Sequence, residues 1–91
     1  MTRQQQLPQI HSQYSQLVSA VSHRMISDRE TARDAAQQVW YEIVKSIDSF
    51  QEKSKLSTWI YTLAYRTIMK YCQKERRYTF QFLEEYFQER L

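Results

Sequence analysis

The sequence has no glycine, one proline (Pro8) and one cysteine (Cys72). Without glycine there is no backbone free of Cβ to wrap a phosphate, so phosphate loops and glycine-rich dinucleotide turns are excluded. Tight hairpins are disfavoured too, because their turns want positive φ at one or two positions. A single proline leaves long stretches free to be helical. A lone thiol makes no intrachain disulfide. With His11 and His23 far from it in the chain, it also makes no four-ligand zinc site. A free thiol suits a reducing cytoplasm. The opening MTRQQQLPQI has no apolar run and does not read as a signal peptide. Nothing approaches the ~18 consecutive apolar residues that would span a membrane. The 91 residues allow one domain, which buries only about 60–65 % of its unfolded surface. That leaves no room for a large enclosed pocket, and the expectation is an all-α domain.

Charge is unevenly spread. Residues 1–44 hold four arginines and four acids and are neutral; residues 45–77 carry +5; residues 78–91 carry −2. A basic centre between neutral and acidic flanks suits an anionic partner, although a solvated helix face would look the same.

Apolar spacing predicts the elements. Residues 1–9 are polar, glutamine-rich and expected to be flexible. Ile10, Tyr14, Leu17, Val18, Val21 and Met25 form one helical stripe. That helix should end near Ser27, where Ser27-Asp28-Arg29-Glu30 has the form of a capping box for a second helix. The second stripe is Ala32, Ala36, Val39, Trp40, Ile43, Val44 and Ile47, stopping near Asp48 or Ser49. Residues 49–56, SFQEKSKL, read as a polar loop with one exposed phenylalanine, and Ser54 or Ser57 can cap the next helix. The third stripe is the cleanest: Leu56, Trp59, Ile60, Leu63, Ala64, Ile68 and Tyr71. It runs into the basic residues 74–77, which favour a helix C-terminus. Residues 78–91, rich in aromatics, are expected to form a short fourth helix or the start of a linker. The fold expected is a compact bundle of three main helices.

No Ser/His/Asp or Cys/His set has a spacing that suggests catalysis. Asp28, Glu30, Asp34 and Glu42 lie among arginines and read as surface pairs, so the chain is not expected to be an enzyme. The third helix is the informative element. Thr62, Arg66, Lys70, Lys74 and Arg77 fall on its outward side as one basic ridge, flanked by Tyr61 and Tyr65. Cations that track phosphates and rings that stack on bases are what a single nucleic-acid strand needs. The preceding loop adds Phe50, Lys53, Ser54, Lys55 and Ser57, enough for a pocket around an extruded base. Trp40 and Trp59 lie on apolar stripes and read first as core. On the second helix Asp34, Gln37, Gln38 and Tyr41 make a polar face away from the stripe; spacing alone would leave it an inert solvent face.

Two strings together resemble one family. Ala32-Arg33-Asp34-Ala35-Ala36-Gln37-Gln38-Val39-Trp40 looks like the A-E-D-L-V-Q-E-V-F pattern of bacterial sigma factors. Asp48-Ser49-Phe50, then Ser54-Lys55-Leu56-Ser57-Thr58-Trp59-Ile60-Tyr61-Thr62-Leu63-Ala64, resemble the family's F…S-x-L-x-T-W-L-Y-x-I-A run. Order and gap are similar to region two of the extracytoplasmic-function group, over roughly residues 10–77. The resemblance implies that Asp34, Gln37 and Gln38, with Tyr41 beside them, dock on the clamp helices of the largest subunit of core RNA polymerase. It implies that the loop and third helix read and melt the minus-ten promoter element and capture a flipped non-template base. Phe50, Lys55, Trp59, Tyr61, Tyr65 and Arg66 fall in that region, with Thr58 among them.

Some positions depart from the pattern. Arg33 and Gln38 stand where glutamates are usual, so the polymerase face is less acidic. Arg66 stands where asparagine is common, and Lys70 replaces a frequent aspartate. Residues 78–91 are too few for the second domain that reads the minus-thirty-five element, so the chain is expected to be a fragment or a one-domain relative. The resemblance implies no metal or cofactor and no membrane. Its partners would be core polymerase and promoter DNA, and such proteins can also have an anti-sigma factor. The rival expectation is a helical protein–protein adaptor whose basic ridge meets an acidic partner and which has no nucleic-acid role.

Overall fold

Three helices account for most of the computed structural model, which describes residues 3–75: α1 (Leu7–Met25), α2 (Arg29–Ser46) and α3 (Leu56–Glu75). No strand occurs among the described residues. All three helices pack on one another, so the domain is all-α, as the apolar periods require. The expected fourth helix and Arg77 lie outside the described residues.

α1 starts earlier than the stripe suggested, at Leu7 rather than Ile10, with Pro8 in its first turn. Proline is favoured there, since its missing N–H has no intrahelical partner to lose and its φ is already helical. Ahead of it Arg3–Gln6 form a 3-10 turn. The segment read as flexible is therefore partly built into the fold. Its Gln4 side chain donates to the Val44 carbonyl at 2.8 Å, and Arg3 reaches the loop before α3.

The junction between α1 and α2 corrects the capping expectation by one residue. Asp28, not Ser27, is the N-cap of α2. Its carboxylate accepts the Thr31 N–H at 2.9 Å and the Thr31 hydroxyl at 2.5 Å. Those two bonds, the hydroxyl first, hold the Asp28 carboxyl below its ordinary range. Thr31 stands at N3 and donates twice to the Asp28 carboxylate, whereas the Glu30 of a capping box would have accepted from the cap's own backbone N–H. α1 ends at Met25, and Ile26 comes next in extended conformation, fully buried. Buried Ser22 of α1 donates from its hydroxyl to the Ala32 carbonyl of α2. This polar tie between two helices satisfies a group that burial would otherwise penalise.

The core holds Ile10, Val18, Val21, Met25, Ile26, Ala32, Ala35, Val39, Ile43, Ile47, Ile60, Ala64, Ile68 and Cys72. Ala35 faces inward although the predicted stripe omitted it. Val44 faces out, at 44 % exposure, although the stripe included it. Residues 43 and 44 lie about 100° apart on a helix, and the bundle buries the 32-35-39-43 side. Trp40 and Trp59 are half-buried at the margin of this core. His11 of α1 lies 4.6 Å from Trp40, centroid to centroid.

α2 ends at Ser46 and continues as a 3-10 turn, Ile47–Ser49. Residues 50–55 then cross to α3. With no glycine available, Glu52 takes the left-handed conformation, φ 59°. That is uncommon for a residue with a Cβ and costs about 1–2 kcal/mol. The first α3 hydrogen bond runs from the Trp59 N–H to the Lys55 carbonyl at 3.1 Å. Lys55 therefore stands at the cap position, between the two serines expected to fill it.

Candidate nucleic-acid interface

A four-residue spacing returns to the same face of a helix, and in α3 that face is turned outward. Thr62, Arg66, Lys70 and Lys74 are all exposed. The ion pairs among the described residues are Arg3–Glu52 and Glu42–Lys45. Arg66, Lys70 and Lys74 are thus left without a carboxylate of their own there. Three cations in one row, none held in a direct ion pair there, set up a local positive potential that a phosphate backbone can satisfy. Tyr61 is 44 % exposed and offers a ring at the start of this row. Tyr65 is half-buried against the core, so less of its ring is free than the sequence suggested.

The loop places Lys53, Ser54 and Lys55 in solvent, with Thr58 exposed just after them and Ser57 half-buried. Phe50 differs from the expectation of an exposed ring. It is half-buried, 5.4 Å from the Trp59 ring and tilted 39° to it. The Arg3 guanidinium lies 4.7 Å from its centroid. Phe50 and Trp59 together form an aromatic corner where the loop enters α3. The corner is polar-rimmed and partly open, so it can serve as a stacking platform without being an enclosed pocket.

On α2, Asp34, Gln37, Gln38 and Tyr41 are all exposed, which is the condition for a docking face. Lys45 lies 5.4 Å from the Tyr41 ring and 3.8 Å from Glu42. This face and the basic ridge adjoin. Gln38 and Glu42 of α2 line one side of an open groove of about 510 Å³. Leu63, Arg66, Thr67, Lys70, Tyr71 and Lys74 of α3 line the rest. Sequence spacing treats each helix alone, so it gave no hint that Gln38 and Arg66 share a groove. The buried positions Thr67 and Cys72 were missed too, although Cys72 continues the row of Ile60, Ala64 and Ile68 by one more four-residue step and free cysteine is among the residue types most often buried.

Arg3 is the residue that sequence reasoning passed over. It donates to the Phe50 carbonyl at 3.0 Å and pairs with Glu52 at 2.7 Å. It sits 47 positions from Phe50, so no local signal could have found it. No cluster of potential metal ligands occurs among the described residues, and no described helix is long and apolar enough to cross a membrane.

The family profile of Sigma-70 region 2 matches residues 10–78. Over 80 residues the chain is 28 % identical to RNA polymerase sigma factor YlaC of Bacillus subtilis (strain 168), an alignment that covers 88 % of this chain and 46 % of that protein. The chain thus spans about half the length of the curated relative it matches. No solved structure matches it significantly.

Proposed function

Because the chain belongs to the Sigma-70 region 2 family, we propose that it is a transcription initiation module that binds core RNA polymerase and captures the non-template strand of the minus-ten promoter element. The α2 face of Asp34, Gln37, Gln38 and Tyr41 meets the polymerase. The loop residues Lys53, Ser54 and Lys55, the Phe50–Trp59 corner and the α3 row of Tyr61, Thr62, Arg66, Lys70 and Lys74 meet the DNA. Arg77 extends that row in sequence and is assigned with it. The observation that carries this reading is the exposed cation row, free of ion pairs among the described residues, together with the aromatic corner at the start of the same helix. The name of the similar protein, a sigma factor, supports it.

The mechanism is binding. Extruding a base costs a few kcal/mol of lost stacking and pairing. One aromatic stack returns about 1–3 kcal/mol, which does not cover that cost with a margin. Phosphate contacts must supply the rest, and that is the role given to Arg66, Lys70 and Lys74. Three such contacts on a single strand give a log–log salt slope near about −2, or about a 20-fold loss of affinity between ~50 and ~200 mM salt.

Fluorescence anisotropy with a minus-ten non-template strand tests this. Arg66→Ala and Lys70→Ala should each flatten the slope by about 0.7. An unchanged slope and affinity in both variants would remove the ridge from the interface. The adaptor alternative predicts no preference for single strand over duplex, and the same titration reads that out.

The polymerase half is tested separately. Asp34→Ala and Gln37→Ala should reduce retention of core polymerase by the immobilised chain. Both side chains are exposed, so folding should change by less than about 0.5 kcal/mol. Full retention by both variants, or unfolding of either, would refute the assignment of this face.

A further inference from the structure

The loop between α2 and α3 is held from outside the segment that matches the family. The match begins at residue 10, and Arg3 precedes it in the 3-10 turn ahead of α1. One guanidinium makes three contacts with two neighbouring loop positions. It donates to the Phe50 carbonyl, pairs with the Glu52 carboxylate and covers the Phe50 ring. Gln4 fixes the same turn to the end of α2 through the Val44 carbonyl. The loop needs such support, because Glu52 lies in the left-handed region with a Cβ and loops without glycine resist that geometry. An exposed ion pair alone would contribute little. Here the pair is joined to a backbone hydrogen bond and a ring contact on a planar fork whose shape is preset.

We propose that Arg3 is a positioning residue, a strap that fixes the Phe50–Glu52 backbone and ring so that the aromatic corner is preformed for an unpaired base. This rests on the reading of the loop as a strand-capturing site. Arg3 is not itself offered as a phosphate contact. Its side chain is only 24 % exposed, and its charge is already met by Glu52. Preforming the corner lowers the ordering cost of capture.

Four variants of the 91-residue chain decide the matter: Arg3→Ala, Arg3→Lys, Glu52→Ala and the double variant Arg3→Ala/Glu52→Ala. Two readouts are needed. The first is hydrogen exchange at the Phe50 amide, which donates to the Ile47 carbonyl at 3.2 Å. The second is affinity for a strand with an unpaired minus-ten base, at two salt concentrations. Arg3→Ala should speed exchange at Phe50 and weaken strand binding about tenfold, the scale of one hydrogen bond to a charged group. The salt slope should stay as in the wild type. Arg3→Lys should fall between, since an ammonium keeps the charge but not the fork. Glu52→Ala should cost less than Arg3→Ala, because the backbone bond and the ring contact of Arg3 remain. The double variant should bind as weakly as Arg3→Ala.

A double variant restored to wild-type affinity would overturn the proposal, because Arg3 would then only neutralise Glu52. Unchanged exchange at Phe50 in Arg3→Ala would overturn it as well. If the wild-type chain fails to bind the strand at all, the DNA reading falls together with the capture role. The exchange result then still decides whether Arg3 holds the loop.

Discussion

Ile43→Ala is expected to remove about 2–5 kcal/mol of folding free energy, while Val44→Ala, one position on, changes it by less than about 0.5 kcal/mol. The two residues are neighbours of similar type, so the contrast tests the phase of α2 rather than its composition. Ile43 is fully buried and Val44 is 44 % exposed. Truncating Ile43 removes packed methyl groups and leaves a cavity among side chains that relax only partly. Truncating Val44 bares little and replaces a β-branched residue with a better helix former. A domain of this size has about 5–15 kcal/mol in total, so the Ile43 variant should melt far below the wild type. Urea unfolding followed by circular dichroism gives both values. Equal losses at the two positions would mean that the face of α2 directed at α1 and α3 is wrongly assigned. The polar face of Asp34, Gln37 and Gln38 would then be wrongly assigned with it.

That contrast also marks how far periodicity could go. The three helices, the loop between the second and third, and the outward row of α3 were legible because each depends on spacing within one segment. Val44 was misassigned because a broad apolar stripe fits either of two phases, and only the neighbouring helices choose between them. Ala35 was passed over because the stripe took its neighbour Ala36, and only the packing of the other helices shows that 35 is buried and 36 half-buried. The cap of α2 slipped by one residue because Ser27 and Asp28 are both good caps. The Thr31 hydroxyl and N–H, which both bond to the Asp28 carboxylate, decided between them.

The candidate site divides in the same way. Arg66, Lys70 and Lys74 could be placed on one face from their spacing. Their meeting with Gln38 and Glu42 across a groove could not, because it depends on how α2 lies against α3. Arg3 was least legible of all. A single arginine in a glutamine-rich leader has no period, and its partners in the loop, Phe50 and Glu52, lie far along the chain.

Phe50→Ala should separate a lid on the core from a platform for a base. A fully buried phenylalanine cut to alanine costs about 3–5 kcal/mol. Phe50 is only half-buried, so about 1–2 kcal/mol of stability should be lost. Its backbone bonds to Arg3 and Ile47 do not depend on the ring and should survive. Binding to a strand with an unpaired minus-ten base should weaken by about 1–3 kcal/mol, or about 5- to 150-fold, the usual worth of a base–aromatic stack. Duplex binding, which presents no free base, should stay close to the wild type. Phe50→Leu sharpens the test. Leucine keeps much of the apolar volume beside Trp59 and loses the flat ring. It should therefore melt near the wild type while binding the strand almost as poorly as Phe50→Ala. If Phe50→Leu instead binds as tightly as the wild type, the ring serves packing alone. The base would then have to stack elsewhere on this surface, on the half-buried Trp59 or on Tyr61, the exposed ring of the α3 row.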